Sequence, residues 1–178
     1  LYDNRDKLGF DTAQELLVSK KYKTFTLNGA LLSEADKQVL KDLNVQITNL
    51  SIKFANNILN AMNEFAIIID KESELAGLPP SVISNASDEA KSRGHEGKWA
   101  FTLHAPSRLA VLQHSENRDL RQKIYRGYTS LASSGSNDNI PVIKQMLQAR
   151  YKKSRLLGFT NFAQYRLDDV MAKTPENA

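Results

Sequence analysis

The feature that most constrains the fold is an apolar stripe along residues 33–65. Apolar residues recur in it at steps of three and four: Leu40, Leu43, Ile47, Leu50, Phe54, Ile58, Met62 and Phe65. No Gly or Pro interrupts the stretch, and Ser33 with Asp36 resembles a capping box at its start. The spacing predicts one helix of about 30 residues, about 45 Å long.

After this helix the pattern changes, and we expect a small β insert at about residues 66–104. β-branched residues fill 66–70, and large apolar residues alternate with smaller ones over 98–104. Both stretches are predicted to be strands, and they are expected to pair as a two-stranded ribbon pinned to helices. A helix from Ser81 to Arg93 is predicted between them, since Pro80 suits its first turn and Gly94 suits its end.

Further helices are predicted from capping residues and apolar spacing. Their expected N-caps are Asp11 or Thr12, Ser107, Asn117 and Asn161. Another helix is expected from about Ile140 to Gly158, with Ile143, Met146, Leu147, Tyr151 and Leu157 on its apolar side. The last helix is expected to run through Val170 and Met171. The predicted fold class is therefore mainly α: a multi-helix array, one long helix at about 33–65 and a small two-stranded β insert, in a single unit over 1–178.

Composition excludes several classes of protein. The 178 residues are 41% hydrophobic and 25% charged, which is typical of a globular domain. There is no cysteine, so disulfides and thiolate metal sites are excluded. The longest apolar run, Phe65 to Ile69, falls far short of the ~20 residues that a membrane-spanning helix needs.

The net charge of +4 arises entirely from residues 140–178. Its densest cluster is Arg150, Lys152, Lys153 and Arg155. A nucleic-acid-binding stripe is one interpretation, and the solvated face of a helix is the preferred one. We expect no nucleic-acid partner.

The histidines do not form a recognisable catalytic motif. A zinc-peptidase helix has the pattern H-E-x-x-H, but the fourth residue after His95 is Trp99. His95 and Glu96 also lie between two glycines, in a predicted turn, and His104 and His114 lack neighbouring ligands at metal-binding spacing. Adjacent Asp168 and Asp169 would point about 100° apart on a helix. The sequence therefore predicts no catalytic, cofactor-binding or metal-binding residue in this chain.

Seven segments, in order along nearly the whole chain, resemble one family of zinc metallopeptidases. The family includes the peptidyl-dipeptidases, oligopeptidase A and thimet oligopeptidase. The segments are GALLSEADK at 29–37, ELAGLP at 74–79, GKWAFTL at 97–103, ENRDLR at 116–121, NDN at 137–139, LLGFTNFA at 156–163 and MAKTP at 171–175. The peptidyl-dipeptidase branch is judged the most similar.

The resemblance implies a helical, two-lobed peptidase with a deep channel, which cleaves short peptides with zinc. Its H-E-x-x-H motif would lie downstream of this sequence. The chain is then expected to be an internal, non-catalytic fragment that forms a channel wall and is inactive alone. The expected partners are short peptides for the parent enzyme and, for the fragment, the missing catalytic lobe and further copies of itself. A cytoplasmic location is expected, with the periplasm as the alternative. The competing hypothesis is a free-standing helical interaction module that binds through residues 33–65.

Overall fold

The computed structural model describes all residues from Leu1 to Ala178 and contains seven α-helices and two β-strands. In chain order the elements are α1 (Thr12–Leu27), α2 (Glu34–Glu64), β1 (Ile67–Ile69), α3 (Pro80–Ser92), β2 (Trp99–Phe101), α4 (Ala105–His114), α5 (Arg118–Thr129), α6 (Ile140–Leu156) and α7 (Phe162–Leu167). Short 3₁₀ turns lie at 2–7, 72–75, 135–137 and 175–177. The mainly α class with a two-stranded insert is confirmed.

The long helix α2 begins and ends where the apolar stripe predicts. The Ser33 hydroxyl accepts a hydrogen bond from the Asp36 backbone N–H at 3.1 Å and donates one to the Asp36 carboxylate at 2.8 Å. The cap is therefore confirmed, although the Asp36 side chain binds the hydroxyl rather than closing a standard capping box. Leu40, Leu43 and Leu50 from the predicted stripe are buried.

The two strands pair antiparallel, with Ile67 opposite Phe101 and Ile69 opposite Trp99. Strand β2 is shorter than the predicted 98–104, because the backbone N–H of Thr102 bonds instead to the Ser107 hydroxyl at 3.0 Å. The large residues Phe101 and Leu103 are buried, and so are the smaller Ala100 and Thr102 that alternate with them. Helix α3 packs against β2, which accounts for burial on both faces.

Packing divides the chain into two compact units, which are described separately: Leu1–Ser51 with Lys144–Ala178, and Ile52–Ile143. The expectation of a single unit over 1–178 stays a prediction. In the second unit the core gathers residues from the β ribbon, α3, α4 and α5 and the connections between them: Ile69, Leu75, Leu78, Ala86, Phe101, Leu103, Val111, Leu120 and Ile124. The β insert thus contributes directly to this core.

Several predicted boundaries and faces are wrong. Ser107 does not cap α4; the helix begins at Ala105 after His104, because Pro106 suits its first turn. On α6 the buried residues are Val142, Ala149 and Ser154, whereas Leu147 and Tyr151 are 58% and 54% exposed. The apolar spacing therefore marked a surface stripe on this helix rather than the side that packs.

The last helix is also shorter than predicted. Asn161 caps α7 as expected, its side chain accepting from the Gln164 backbone N–H at 2.8 Å. The helix ends at Leu167, and Val170 and Met171 lie beyond it, both exposed. The polar Asn139 is buried, with its amide donating to the Phe54 carbonyl and its carbonyl accepting from Asn57.

Candidate functional site

The three histidines are not brought together. His95 is exposed in the turn before β2, as the flanking glycines predict, while His104 precedes α4 and His114 is its last residue. No group of three or more His, Asp or Glu side chains has the spacing to hold a metal ion.

The residues present do not fit a peptidase zinc site. Such a site takes three protein ligands and leaves one position for water or substrate. Two imidazoles one turn apart on a helix would supply two of them, but His104 and His114 lie at opposite ends of α4. We therefore assign no zinc-dependent step to side chains of this chain.

One concave surface in the second unit is a cleft of about 270 Å³, which we call the α3 cleft. It lies between α3 and the segment from β2 into the first turn of α4. Apolar Val82, Ala86, Ala100 and Pro106 and polar Asn85, Glu89, Thr102, His104 and Ser107 line it. This volume lies just below the usual range of ligand pockets, which is about 300–1,000 Å³.

A buried turn fixes the polar side of the α3 cleft. Thr102 is 4% exposed, and its backbone N–H is taken by the Ser107 hydroxyl. The Glu89 carboxylate receives the Arg93 guanidinium at 2.7 Å, through Oε1 and Arg93 Nε. The arrangement offers hydroxyl, amide and carboxylate groups to a ligand and contains no second carboxylate for acid–base catalysis.

A second concavity lies in the first unit, between α2 and α6. It encloses about 690 Å³ and is lined by Val39, Asp42, Leu43, Gln46, Tyr151, Lys152, Arg155 and Leu156. Two members of the predicted basic cluster, Lys152 and Arg155, therefore line this groove. The other two pack against α7: Arg150 lies 5.3 Å from the Phe162 ring centre and Lys153 lies 5.5 Å from that of Tyr165. The cluster is thus divided between two environments and does not form one uniform basic face.

Asp168 and Asp169 converge on one cation, contrary to the expected divergence. Because α7 ends at Leu167, both acids lie in a turn, and Lys23 Nζ is 3.0 Å from Asp168 Oδ2 and 3.4 Å from Asp169 Oδ1. The hydrogen bond to Asp168 is the main reason that the pKa of Lys23 is raised above its ordinary 10.5. This cluster ties the C-terminal segment to α1, which is a structural rather than a catalytic role.

Comparison with known proteins relates the chain to one peptidase family. Residues 111–178 match the sequence model of peptidase family M3. The chain is 39% identical over 166 residues to a probable cytosolic oligopeptidase A of Arabidopsis thaliana, covering 90% of this chain and 24% of the relative. The chain is a relative of the M3 peptidases. It is also 35% identical to oligopeptidase A of Haemophilus influenzae, over 94% of this chain and 25% of the relative. With dipeptidyl carboxypeptidase of Escherichia coli it shares 31% identity, over 100% of this chain and 26% of the relative.

The chain spans about a quarter of the length of the curated M3 relatives it matches. Identity is higher to these two oligopeptidase A proteins than to the dipeptidyl carboxypeptidase, so it does not favour the branch judged the most similar from the sequence segments. None of the helices combines the length and the apolar character that crossing a membrane requires.

Sequence reasoning missed the α3 cleft. Thr102 and Ser107 were assigned to a strand and to a helix cap, and their mutual hydrogen bond spans the end of one element and the start of the next. The only feature of the sequence that could have indicated this cleft is the short separation between the predicted strand at 98–104 and the helix that begins near Pro106.

Proposed function

We propose that this chain is a non-catalytic segment of a zinc-dependent M3 peptidase that hydrolyses short peptides. The observation that carries the proposal is identity of 31–39% to M3 peptidases across at least 90% of this chain, although it spans only about a quarter of theirs. The segment's role is to build a wall of the substrate channel, while bond cleavage takes place on polypeptide outside it.

The long helix supports a scaffolding role. Helix α2 has 31 residues, and its N-terminus is fixed by the Ser33 cap. A rigid helix of this length positions other elements without taking part in chemistry itself, and correct positioning contributes strongly to enzymatic rates. The three histidines lie apart and belong to no group of side chains that could hold a metal ion. The proposal therefore leaves zinc binding to the rest of the enzyme.

The finer hypothesis is that the parent enzyme removes C-terminal dipeptides. It rests on the segments that resemble peptidyl-dipeptidases and on the similarity to the Escherichia coli dipeptidyl carboxypeptidase. Internal cleavage of short peptides, as an oligopeptidase, is the competing specificity. A cytoplasmic location is proposed because one relative is named a cytosolic enzyme, with the periplasm as the alternative.

A chimera tests the proposal. The quarter of Haemophilus influenzae oligopeptidase A that aligns with this chain is replaced by residues 1–178. Hydrolysis of N-blocked short peptides is then measured, and the products are identified by mass. We expect chelator-sensitive hydrolysis by the chimera and none by the 178-residue chain alone. A stable, zinc-loaded chimera without activity would contradict the wall role, and zinc-dependent hydrolysis by the chain alone would contradict its non-catalytic assignment.

The same chimera addresses specificity. Release of dipeptides from the C-terminus would show that this segment carries the peptidyl-dipeptidase preference into an oligopeptidase. Unchanged internal cleavage would place the determinant of specificity elsewhere in the enzyme.

One observation favours the alternative of a helical interaction module. Val45, Ile52 and Leu59 recur at intervals of seven along α2 and are each more than half exposed. A seven-residue apolar repeat is typical of a helix that packs along a partner helix. A tight stoichiometric dimer in light scattering, abolished by Ile52→Lys, would support this module.

A further inference from the structure

We propose that the α3 cleft is a binding site for the free amino end of a short peptide. The ligand's ammonium group contacts the Glu89 carboxylate, and its first amide contacts Asn85 and Thr102. A small side chain of the ligand packs on Ala86, Ala100 and Pro106. The site lies within residues 82–107 and is independent of whether the parent enzyme hydrolyses peptides.

The first observation is a side-chain hydroxyl without a hydrogen-bond partner, in a residue that is otherwise buried. Thr102 is 4% exposed, yet its side-chain oxygen makes no hydrogen bond within the chain, although its backbone N–H does. No completely buried side-chain oxygen or nitrogen atom lacks a partner. The Thr102 hydroxyl therefore keeps some accessible area, and we infer that it faces the cleft that Thr102 lines. A hydroxyl that is accessible and unpaired can donate to or accept from a ligand without breaking a hydrogen bond within the chain.

The second observation is the charge of the lining. Glu89 is the only acidic residue in the wall of the cleft, and no Lys or Arg lines it. One Glu89 oxygen, Oε1, receives Arg93, so the other oxygen is available to a ligand. Arg93 balances the charge of Glu89 but does not line the cleft, so the charged group that a ligand meets there is a carboxylate, which accepts hydrogen bonds from an ammonium group.

The third observation is the chemistry of the remaining groups. Ser107 uses its oxygen as an acceptor and keeps its hydroxyl proton for a ligand, and the Asn85 amide has no partner in the chain. Donors and acceptors beside small apolar walls match a peptide group with a small side chain. The volume of about 270 Å³ limits the enclosed part of the ligand to about the size of a dipeptide.

The test is a titration of the ¹⁵N-labelled 178-residue chain followed by NMR. The probes are L-alanyl-L-alanine, its N-acetyl derivative and penta-L-alanine. We expect alanyl-alanine to shift the amide signals of residues around Asn85, Ala100 and Thr102 in a saturable way, with at least fivefold weaker binding of the N-acetyl form. Equal binding of the acetylated peptide, or shifts that map elsewhere, would overturn the proposal.

Comparison of the two unblocked probes shows whether the bound amino end belongs to a dipeptide or to a longer peptide. Binding of alanyl-alanine at least as tight as that of penta-alanine supports a dipeptide ligand. Tighter binding of penta-alanine supports the amino terminus of a longer peptide that leaves through the open side of the cleft.

Matched variants separate binding from folding. Glu89→Gln and Arg93→Gln break the same ion pair, but only the first removes the carboxylate. We expect Glu89→Gln to weaken alanyl-alanine binding at least fivefold, and Arg93→Gln to keep or tighten it because Glu89 loses its internal partner. An equal loss in both variants would mean that the ion pair matters only for structure. Asp88→Asn, an exposed neighbour on α3, controls for the charge change and should leave binding unchanged.

Thr102→Val supplies an independent test. Because the hydroxyl has no partner in the chain, its removal should leave the unfolding midpoint unchanged or raise it. Binding of alanyl-alanine should weaken at least threefold. A large loss of stability, or unchanged binding, would show that the hydroxyl does not face a ligand.

Discussion

Two lysines of the first unit show how the surroundings of one residue set its proton affinity. Lys23 donates to the Asp168 carbonyl at 2.7 Å and lies beside two carboxylates, and its pKa is raised above 10.5. Lys153 is partly buried against α7 near the Arg166 guanidinium, and this burial is the main reason that its pKa is lowered. Its Nζ keeps one hydrogen bond, at 2.8 Å, to the Asn44 side chain.

These shifts predict opposite effects of alkaline pH on stability. The folded-state pKa of Lys153 lies below the unfolded value of 10.5, so unfolding takes up a proton between the two values. Its contribution to the free energy of unfolding therefore rises as the pH increases through that window. Lys23 stabilises the fold below 10.5, and its contribution is lost as the pH rises through its higher folded-state pKa.

Urea unfolding at a series of pH values, with Lys23→Met and Lys153→Met, checks this prediction. Relative to the unsubstituted chain, Lys153→Met should flatten the rise in stability below pH 10.5. Lys23→Met should cost up to about 1 kcal/mol at neutral pH, as expected for a partly exposed ion pair, and should flatten the loss above 10.5. Identical pH profiles for all three proteins would contradict the assigned environments.

Among the elements, α5 shows packing overriding intrinsic helix propensity. Gly127 lies inside this helix, where glycine costs about 1 kcal/mol relative to alanine. The ring of Phe65 lies against it, so that a Cβ added at Gly127 would be 2.5 Å from Phe65 Cε2. The glycine thus lets Phe65 pack beside the core of the second unit.

Gly127→Ala is therefore expected to destabilise the chain, although the same change in an open helix would stabilise it. Displacing the Phe65 ring should cost about 1–3 kcal/mol, which exceeds the gain of about 1 kcal/mol in helix propensity. Urea unfolding of Gly127→Ala, Phe65→Leu and the double variant measures the coupling. In the Phe65→Leu background, Gly127→Ala should become neutral or stabilising. If Gly127→Ala stabilises the chain while Phe65 is still present, the close contact between the two residues is disproved.

For the whole molecule, the main feature is its exposed apolar surface. Leu147 and Tyr151 are one turn apart on α6 and more than half exposed, although their spacing is that of a packing face. Exposed apolar patches in a soluble chain often mark surfaces that contact other polypeptide. Relatives about four times as long contain additional polypeptide that is available for such contacts.

The isolated chain is accordingly expected to self-associate. Its mass in light scattering should rise above the monomer's 20.0 kDa as concentration increases. Replacing Leu147 and Tyr151 together by Ser should bring the mass closer to the monomer, because less apolar area is then removed from water on association. Lys144→Ser with Gln148→Ser, two exposed polar positions on the same helix, is the control. A strictly monomeric unsubstituted chain would contradict the prediction.

Local chemistry allowed the helices and most of their ends to be predicted from the sequence. Ser33, Asn117 and Asn161 each cap the helix that follows, since a cap needs only a side chain and a backbone N–H three residues on. The α2 stripe and the two strands of the β insert were predicted for the same reason: their periodicities are properties of short stretches of chain.

Only the tertiary structure decided which faces pack and which polar groups meet. It assigned Val142 and Ala149 rather than Leu147 to the buried side of α6, and it gave the Ser107 hydroxyl to Thr102 rather than to the helix end. It also brought Asp168 and Asp169 to Lys23, a residue far away in the sequence. The physical reason is that burial and charge pairing depend on neighbours from distant parts of the chain, which no local pattern of residues specifies.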